Sequence, residues 1–116
     1  MKREIAERRG RRGEGWAAWW LRLQGWRIVG RRLKTPRGEI DLVARRGRTL
    51  AFIEVKWRAT EIERDLAIDD YRLRRVAAAV EAVAHRFLRE GDSPRIDVLL
   101  LAPGRWPRHI VNAWQP

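Results

Sequence analysis

Residues 38–58 read GEIDLVARRGRTLAFIEVKWR, and Glu39, Asp41, Glu54 and Lys56 interrupt two otherwise apolar runs within them. Side chains two apart in a strand point to one face. Glu39 and Asp41 would therefore share a side of their strand, and Glu54 and Lys56 a side of theirs. If the strands pair through a turn at Arg46-Gly47, Asp41 and Glu54 come side by side across the ladder. Two carboxylates at one spot repel each other and resist desolvation unless a cation sits between them. Their oxygens suit a hard divalent ion, Mg²⁺ or Mn²⁺, bound through one or two carboxylates with several waters retained. Lys56 would stand close to that ion, able to orient a water or to stabilise charge developing on a phosphate.

The elements that must hold these residues follow from periodicity and stop signals. Residues 3–24 carry Ile5, Trp16, Trp19, Trp20 and Leu23 at partly helical spacing, with Gly25 as a stop. Gly10, Gly13 and Gly15 weaken the first half, so the firm helix is expected from near Glu14. Trp26 to Leu33 reads as a strand. Ile40, Leu42 and Ala44 alternate with Glu39, Asp41 and Val43, and Thr49 to Trp57 forms the partner strand of a hairpin. The polar stretch 59–70 reads as a connection. A long helix follows, with Leu73, Val76, Ala77, Val80, Val83, Ala84, Phe87 and Leu88 at helical spacing and Gly91 at its end. Arg95 to Leu101 is an apolar strand, Pro103-Gly104 a turn, and His109 to Trp114 a last short strand. The order α-β-β-β-α-β-(β) indicates an α/β fold with a mixed sheet flanked by helices.

Size and charge narrow the classes. The chain of 116 residues is expected to be a single domain over residues 1–116. Without cysteine it has no disulfide framework, thiolate metal site or cysteine nucleophile. No apolar stretch approaches the ~18 residues of a membrane span, and the charged start leads into no signal-peptide core. The expectation is a soluble, cytoplasmic protein with no membrane partner. Lys and Arg number 26 against 15 Asp and Glu, a formal net charge of +11. Residues 1–38 hold 12 of the basic and 3 of the acidic side chains, so the excess is concentrated at one end. That asymmetry suits a polyanion-binding surface, and Arg supplies a planar fork for phosphate oxygens. Residues 1–12 read as a flexible basic arm whose Arg8, Arg9, Arg11 and Arg12 suit phosphate contact or a solvated tail. Trp16, Trp19, Trp20 and Trp26 suit packing or base stacking. His85 and His109 have no second metal-type ligand at a useful spacing.

The stretch GEIDLVARRGRTLAFIEVKWR closely resembles the GEIDLI…FVEVKxR core of the YraN-like family, predicted endonucleases of the PD-(D/E)xK superfamily similar in fold to archaeal Holliday-junction resolvases. RRGEGWAAWWLRLQGWRIVGRR resembles that family's opening helix, GxxGExxAxxxLxxxGxxIL. YRLRRVAAAVEAVAHRFL resembles its second long helix, and Arg95-Ile96-Asp97-Val98 is similar to its RFDVV strand. The likeness covers about residues 10 to 112. It departs at Tyr71-Arg72, where the family usually carries a Lys, and at Gly30-Arg31-Arg32, where an Asn is usual.

The resemblance implies a restriction-endonuclease-like three-layer core. It implies Asp41 and Glu54 as metal ligands, Lys56 as the catalytic lysine, Glu14 as an accessory acid acting through a water, and Glu39 as a supporting residue. Arg8, Arg9, Arg11, Arg12, Arg31, Arg32, Lys34, Arg58 and Arg72 are the candidate phosphate contacts. The expected activity is Mg²⁺- or Mn²⁺-dependent hydrolysis of DNA phosphodiesters, on branched or otherwise structured DNA, by a homodimer if relatives of the fold are a guide. A nucleic-acid-binding module that retains the fold without cutting is the alternative.

Overall fold

The structure is a computed structural model describing the backbone of residues 2–57 and 70–114 and the side chains of residues 13–57 and 72–114. Helix α1 spans Lys2–Leu23 and helix α2 Asp70–Val83; the strands are β1 (Arg27–Thr35), β2 (Gly38–Arg46), β3 (Thr49–Trp57), β4 (Ser93–Leu101) and β5 (Arg108–Ile110). The five strands form one sheet in sequence order. β3 and β4 run parallel, joined by the crossover that contains α2, and every other neighbouring pair is antiparallel. This is the expected mixed sheet with a helix on each face, consistent with a three-layer restriction-endonuclease-like core.

Two apolar clusters fill the spaces between layers. On one face Ala17, Ala18 and Leu21 of α1 pack on Leu42, Ala44, Ala51, Ile53, Leu99 and Leu101. On the other, Leu73, Val76, Ala79 and Val83 of α2 pack on Ile40, Val43, Leu50, Phe52, Ile96, Val98 and Leu100. Strands β3 and β4 are thus buried on both sides, which suits a central parallel pair read as near-continuous apolar sequence. Of the tryptophans expected to pack, Trp26 is buried and Trp16 and Trp20 lie against the α1 cluster, whereas Trp19 is exposed and stacks on Trp16.

The element boundaries differ from the sequence expectation in four instructive places. Helix α1 runs unbroken from Lys2 through Gly10, Gly13 and Gly15 to Leu23, two residues before the expected stop at Gly25. There Gly25, with φ +89, donates to Arg22 O and Trp26 to Leu21 O, which satisfies the last-turn carbonyls. The second long helix is α-helical only to Val83 and tightens into a 3-10 turn over Ala84–Arg86. That turn brings Phe87 against Phe52, while the Phe87 carbonyl accepts from Arg45. The last strand stops at Ile110, because the Asn112 amide, in a residue with φ +53, turns to donate to Asp97 Oδ1. Finally, alternation along β2 does not run through Asp41: Ile40 packs under α2 and Leu42 under α1.

Candidate functional site

Asp41 occupies the point where β2 and β3 begin to part. Their paired register ends at Leu42↔Ile53, so the next residues, Asp41 and Glu54, face each other one step beyond the ladder. In place of a further backbone bond, the Val55 amide donates to Asp41 Oδ2 at 2.8 Å. The carboxylate thereby substitutes for a strand partner, and this orients it toward Glu54. The opposite neighbour in β1 is irregular too: Arg32 takes φ +49, a left-handed conformation rare for a non-glycine residue. The face change at Asp41 and the strain at Arg32 fall at the same level of the sheet.

Glu54 and Lys56 stand on one side of β3, as period two requires, and both are almost fully buried. Glu54 Oε1 lies 2.6 Å from Lys56 Nζ and 3.2 Å from an Arg72 guanidinium nitrogen at the start of α2. Burial lowers the Lys56 ammonium below its usual value, and the attraction of Glu54 opposes that shift in part. Asp41 is pushed up to about 6, first because burial disfavours its charge, with the Glu54 and Glu14 carboxylates adding repulsion; the Val55 bond only partly offsets this. Glu54 thus has Lys56 and Arg72 in direct contact, whereas Lys56 offsets the cost at Asp41 only weakly. Among the described residues, its Oδ1 atom accepts no hydrogen bond.

A cleft of about 440 Å³ opens over these groups, lined by Gly38, Glu39, Asp41, Glu54, Arg72, Arg75 and Val76. Its walls are the β1–β2 hairpin, the diverging strands and the first turns of α2. Asp41, Glu54, Glu39 and Arg72 are thus brought together as the sequence suggests. Lys56 adjoins them through Glu54 but does not line the cleft. Glu14, on α1, is buried and ion-paired with Arg32 Nε, and that carboxylate raises the Arg32 pKa. Arg31 and Lys34 are exposed along the sheet edge, Lys34 directly across from Glu39. The side chains of Arg8, Arg9, Arg11 and Arg12, and the whole of Arg58, lie outside the described residues.

The donor set fits a small hard cation within limits. No group of three or more His, Cys, Asp or Glu converges on a metal position among the described residues. Asp41 and Glu54 can supply two carboxylates, the number Mg²⁺ commonly takes from protein while waters and phosphate complete its shell. The orphaned Oδ1 of Asp41, buried beside a second carboxylate, is the feature such an ion would relieve.

Two polar features escaped the sequence reading. Arg75 lines the cleft one helical turn after Arg72; an arginine on an amphipathic helix gives no signal beyond a solvated face. Asp97, fully buried, accepts from Arg95 Nε at 3.1 Å and the Asn112 amide and lies 2.7 Å from His109 Nε2. The polar residue inside IDVLLL was the available sign, and its role is to tie β5 and the following turn to β4. Among the described residues no helix is long and apolar enough to cross a membrane.

Residues 13–101 match the model of a family described as "Uncharacterised protein family UPF0102". A "UPF0102 protein" of Sphingopyxis alaskensis is 69% identical over 116 residues, covering both chains in full. Another of Erythrobacter litoralis is 66% identical over the same full lengths. A third, of Rhizorhabdus wittichii, is 60% identical over 97% of this chain and 96% of its own.

Proposed function

We propose, for a chain that belongs to the UPF0102 family, the YraN-like family, a metal-dependent endonuclease activity: hydrolysis of phosphodiester bonds in DNA at the cleft between β2, β3 and α2. The observation that carries this reading is the pairing of Asp41 with Glu54 where their strands part, with the Asp41 carboxyl raised to about 6 by burial and by the repulsion of its neighbouring carboxylates. Asp41 and Glu54 would hold Mg²⁺ or Mn²⁺, which when bound supplies Lewis acidity toward the phosphodiester and acidifies water.

The chain's own residues perform the remaining tasks. The Val55 amide fixes the Asp41 carboxylate plane. Lys56 holds Glu54 in place through Nζ, and its lowered pKa eases transfer of a proton to or from that nitrogen. Arg72 sits at the cleft wall with a guanidinium that matches phosphate oxygens. Glu14 and Arg32 brace α1 against β1 beside Asp41.

One observation favours a binding module that does not cut. Arg72 already neutralises the Glu54 oxygen shared with Lys56, so the site is in part charge-compensated without an ion. Incubation with supercoiled, branched and single-stranded DNA plus Mg²⁺ or Mn²⁺ decides between them. Nicking or cleavage that disappears in Asp41→Asn and in Lys56→Ala supports the nuclease. Binding to every substrate with cleavage of none supports the module, and cleavage unchanged in both variants removes the assigned site.

A further inference from the structure

We propose that Arg75 is a phosphate-binding residue of the cleft, gripping the nucleic-acid backbone beside the paired carboxylates, a role that rests on the nucleic-acid reading above. The cleft lining carries three carboxylates, Glu39, Asp41 and Glu54, against two guanidinium groups, Arg72 and Arg75. A phosphodiester entering such a cleft is repelled unless a cation is free to meet it. Arg72 is engaged with Glu54 at 3.2 Å, and so is Lys56 at 2.6 Å. Nearby arginines are engaged as well: Arg32 with Glu14, and Arg37 with Glu81 at 3.4 Å. Arg75 is exposed, lines the cleft, and makes no ion pair or side-chain hydrogen bond among the described residues.

Its position is also well determined. Residues three apart on a helix lie on one face, so Arg72 and Arg75 border the cleft from consecutive turns. The hairpin closes onto the backbone at this point. A Cβ on Gly38 would stand 3.3 Å from Arg75 O and 3.7 Å from Ala79 Cβ, so a side chain there would crowd the Arg75 carbonyl and loosen the approach of β2 to α2. The Arg75 backbone is thus held against the same strand that carries Glu39 and Asp41. A planar guanidinium there can take two oxygens of one phosphodiester.

Arg74 provides an internal control. It is exposed on the same helix and carries the same charge, but does not line the cleft. The test measures binding of a labelled DNA duplex by fluorescence anisotropy across a salt titration, without divalent metal. It is run in the Asp41→Asn background, where the probe survives and one lining charge is removed. Arg75→Ala should weaken binding several-fold at low salt and lower the salt slope by about one. Arg74→Ala should change affinity less and leave the slope nearly intact, and Arg75→Lys should recover part of the loss. Equal effects of Arg74→Ala and Arg75→Ala would overturn the assignment of Arg75 while leaving the nucleic-acid reading in place. Failure of the Asp41→Asn parent to bind DNA at any salt would overturn both.

Discussion

Asp41 is held in a conformation that penalises its own charge, and that penalty can be read as a pH dependence. Its carboxyl is raised from the usual 3.8 to about 6, chiefly by burial and then by repulsion from neighbouring carboxylates. Between those two pH values the native state keeps the proton while the unfolded chain releases it. The native state therefore binds more protons, and stability falls as pH rises through the window, levelling off above about 6. The shift corresponds to about 3 kcal/mol. In metal-free protein, urea unfolding from pH 4 to 7 should show this decline. Asp41→Asn, which can still accept from the Val55 amide, should flatten it and stabilise the protein at pH 7. Added Mg²⁺ should raise the wild-type melting temperature above pH 6 and do little for Asp41→Asn, since a ligand that binds only the native state stabilises by mass action. The residues behind this behaviour were legible from period two and like-charge repulsion alone. The ion pairs Glu14–Arg32 and Glu54–Arg72 were not, because they join elements distant in sequence.

At the scale of elements, close approach between layers is set by glycine. Gly30 lies in β1 opposite Val43, and a Cβ there would stand 3.2 Å from Phe87 Cζ and 3.4 Å from Val43 Cβ. Phe87 is the residue that the 3-10 turn after α2 carries onto the sheet, where it meets Phe52 edge-on. Gly30→Ala should destabilise the fold by about 1–3 kcal/mol through overpacking. Combined with Phe87→Leu, the two changes should cost less than the sum of their separate effects, because the smaller ring-free side chain leaves room for the new methyl. Strictly additive chemical-denaturation energies would show that the two residues do not share that space. The hairpin, the long helix and the parallel strand were readable from periodicity, since one face or both of each is apolar. Hidden from such a reading were the features created by contacts: the glycine-tolerant length of α1, the tightening at Ala84, and the early end of β5 at the Asp97 carboxylate.

At the scale of the whole molecule, a share of the excess positive charge sits in the first residues of the chain, ahead of the α1 residues that pack on the sheet. Within α1, Gly13 lies against Leu101 and Trp57, and Ala17, Ala18 and Leu21 pack on the sheet. Residues 1–12 contribute six basic and two acidic side chains, Lys2, Arg3, Arg8, Arg9, Arg11 and Arg12 against Glu4 and Glu7. Removing them takes away four of the eleven net charges and leaves Ala17, Ala18 and Leu21 on the sheet. Affinity for a polyanion depends on the number of phosphates neutralised, so its salt slope counts those contacts, whereas the geometry at Asp41 and Glu54 depends on β2, β3 and α2. A chain starting at Gly13 keeps the α1 residues that pack on the sheet and should melt as one cooperative unit. It should bind duplex DNA more weakly at low salt and with a shallower salt slope. Near physiological salt, where screening has already weakened distant charges, the two chains should bind more alike. Any hydrolysis should fall through weaker substrate binding, with a raised KM and kcat retained. A truncated chain with unchanged affinity and slope would place the polyanion surface on the sheet edge and α2 instead, and loss of cooperative melting would assign residues 1–12 to the fold.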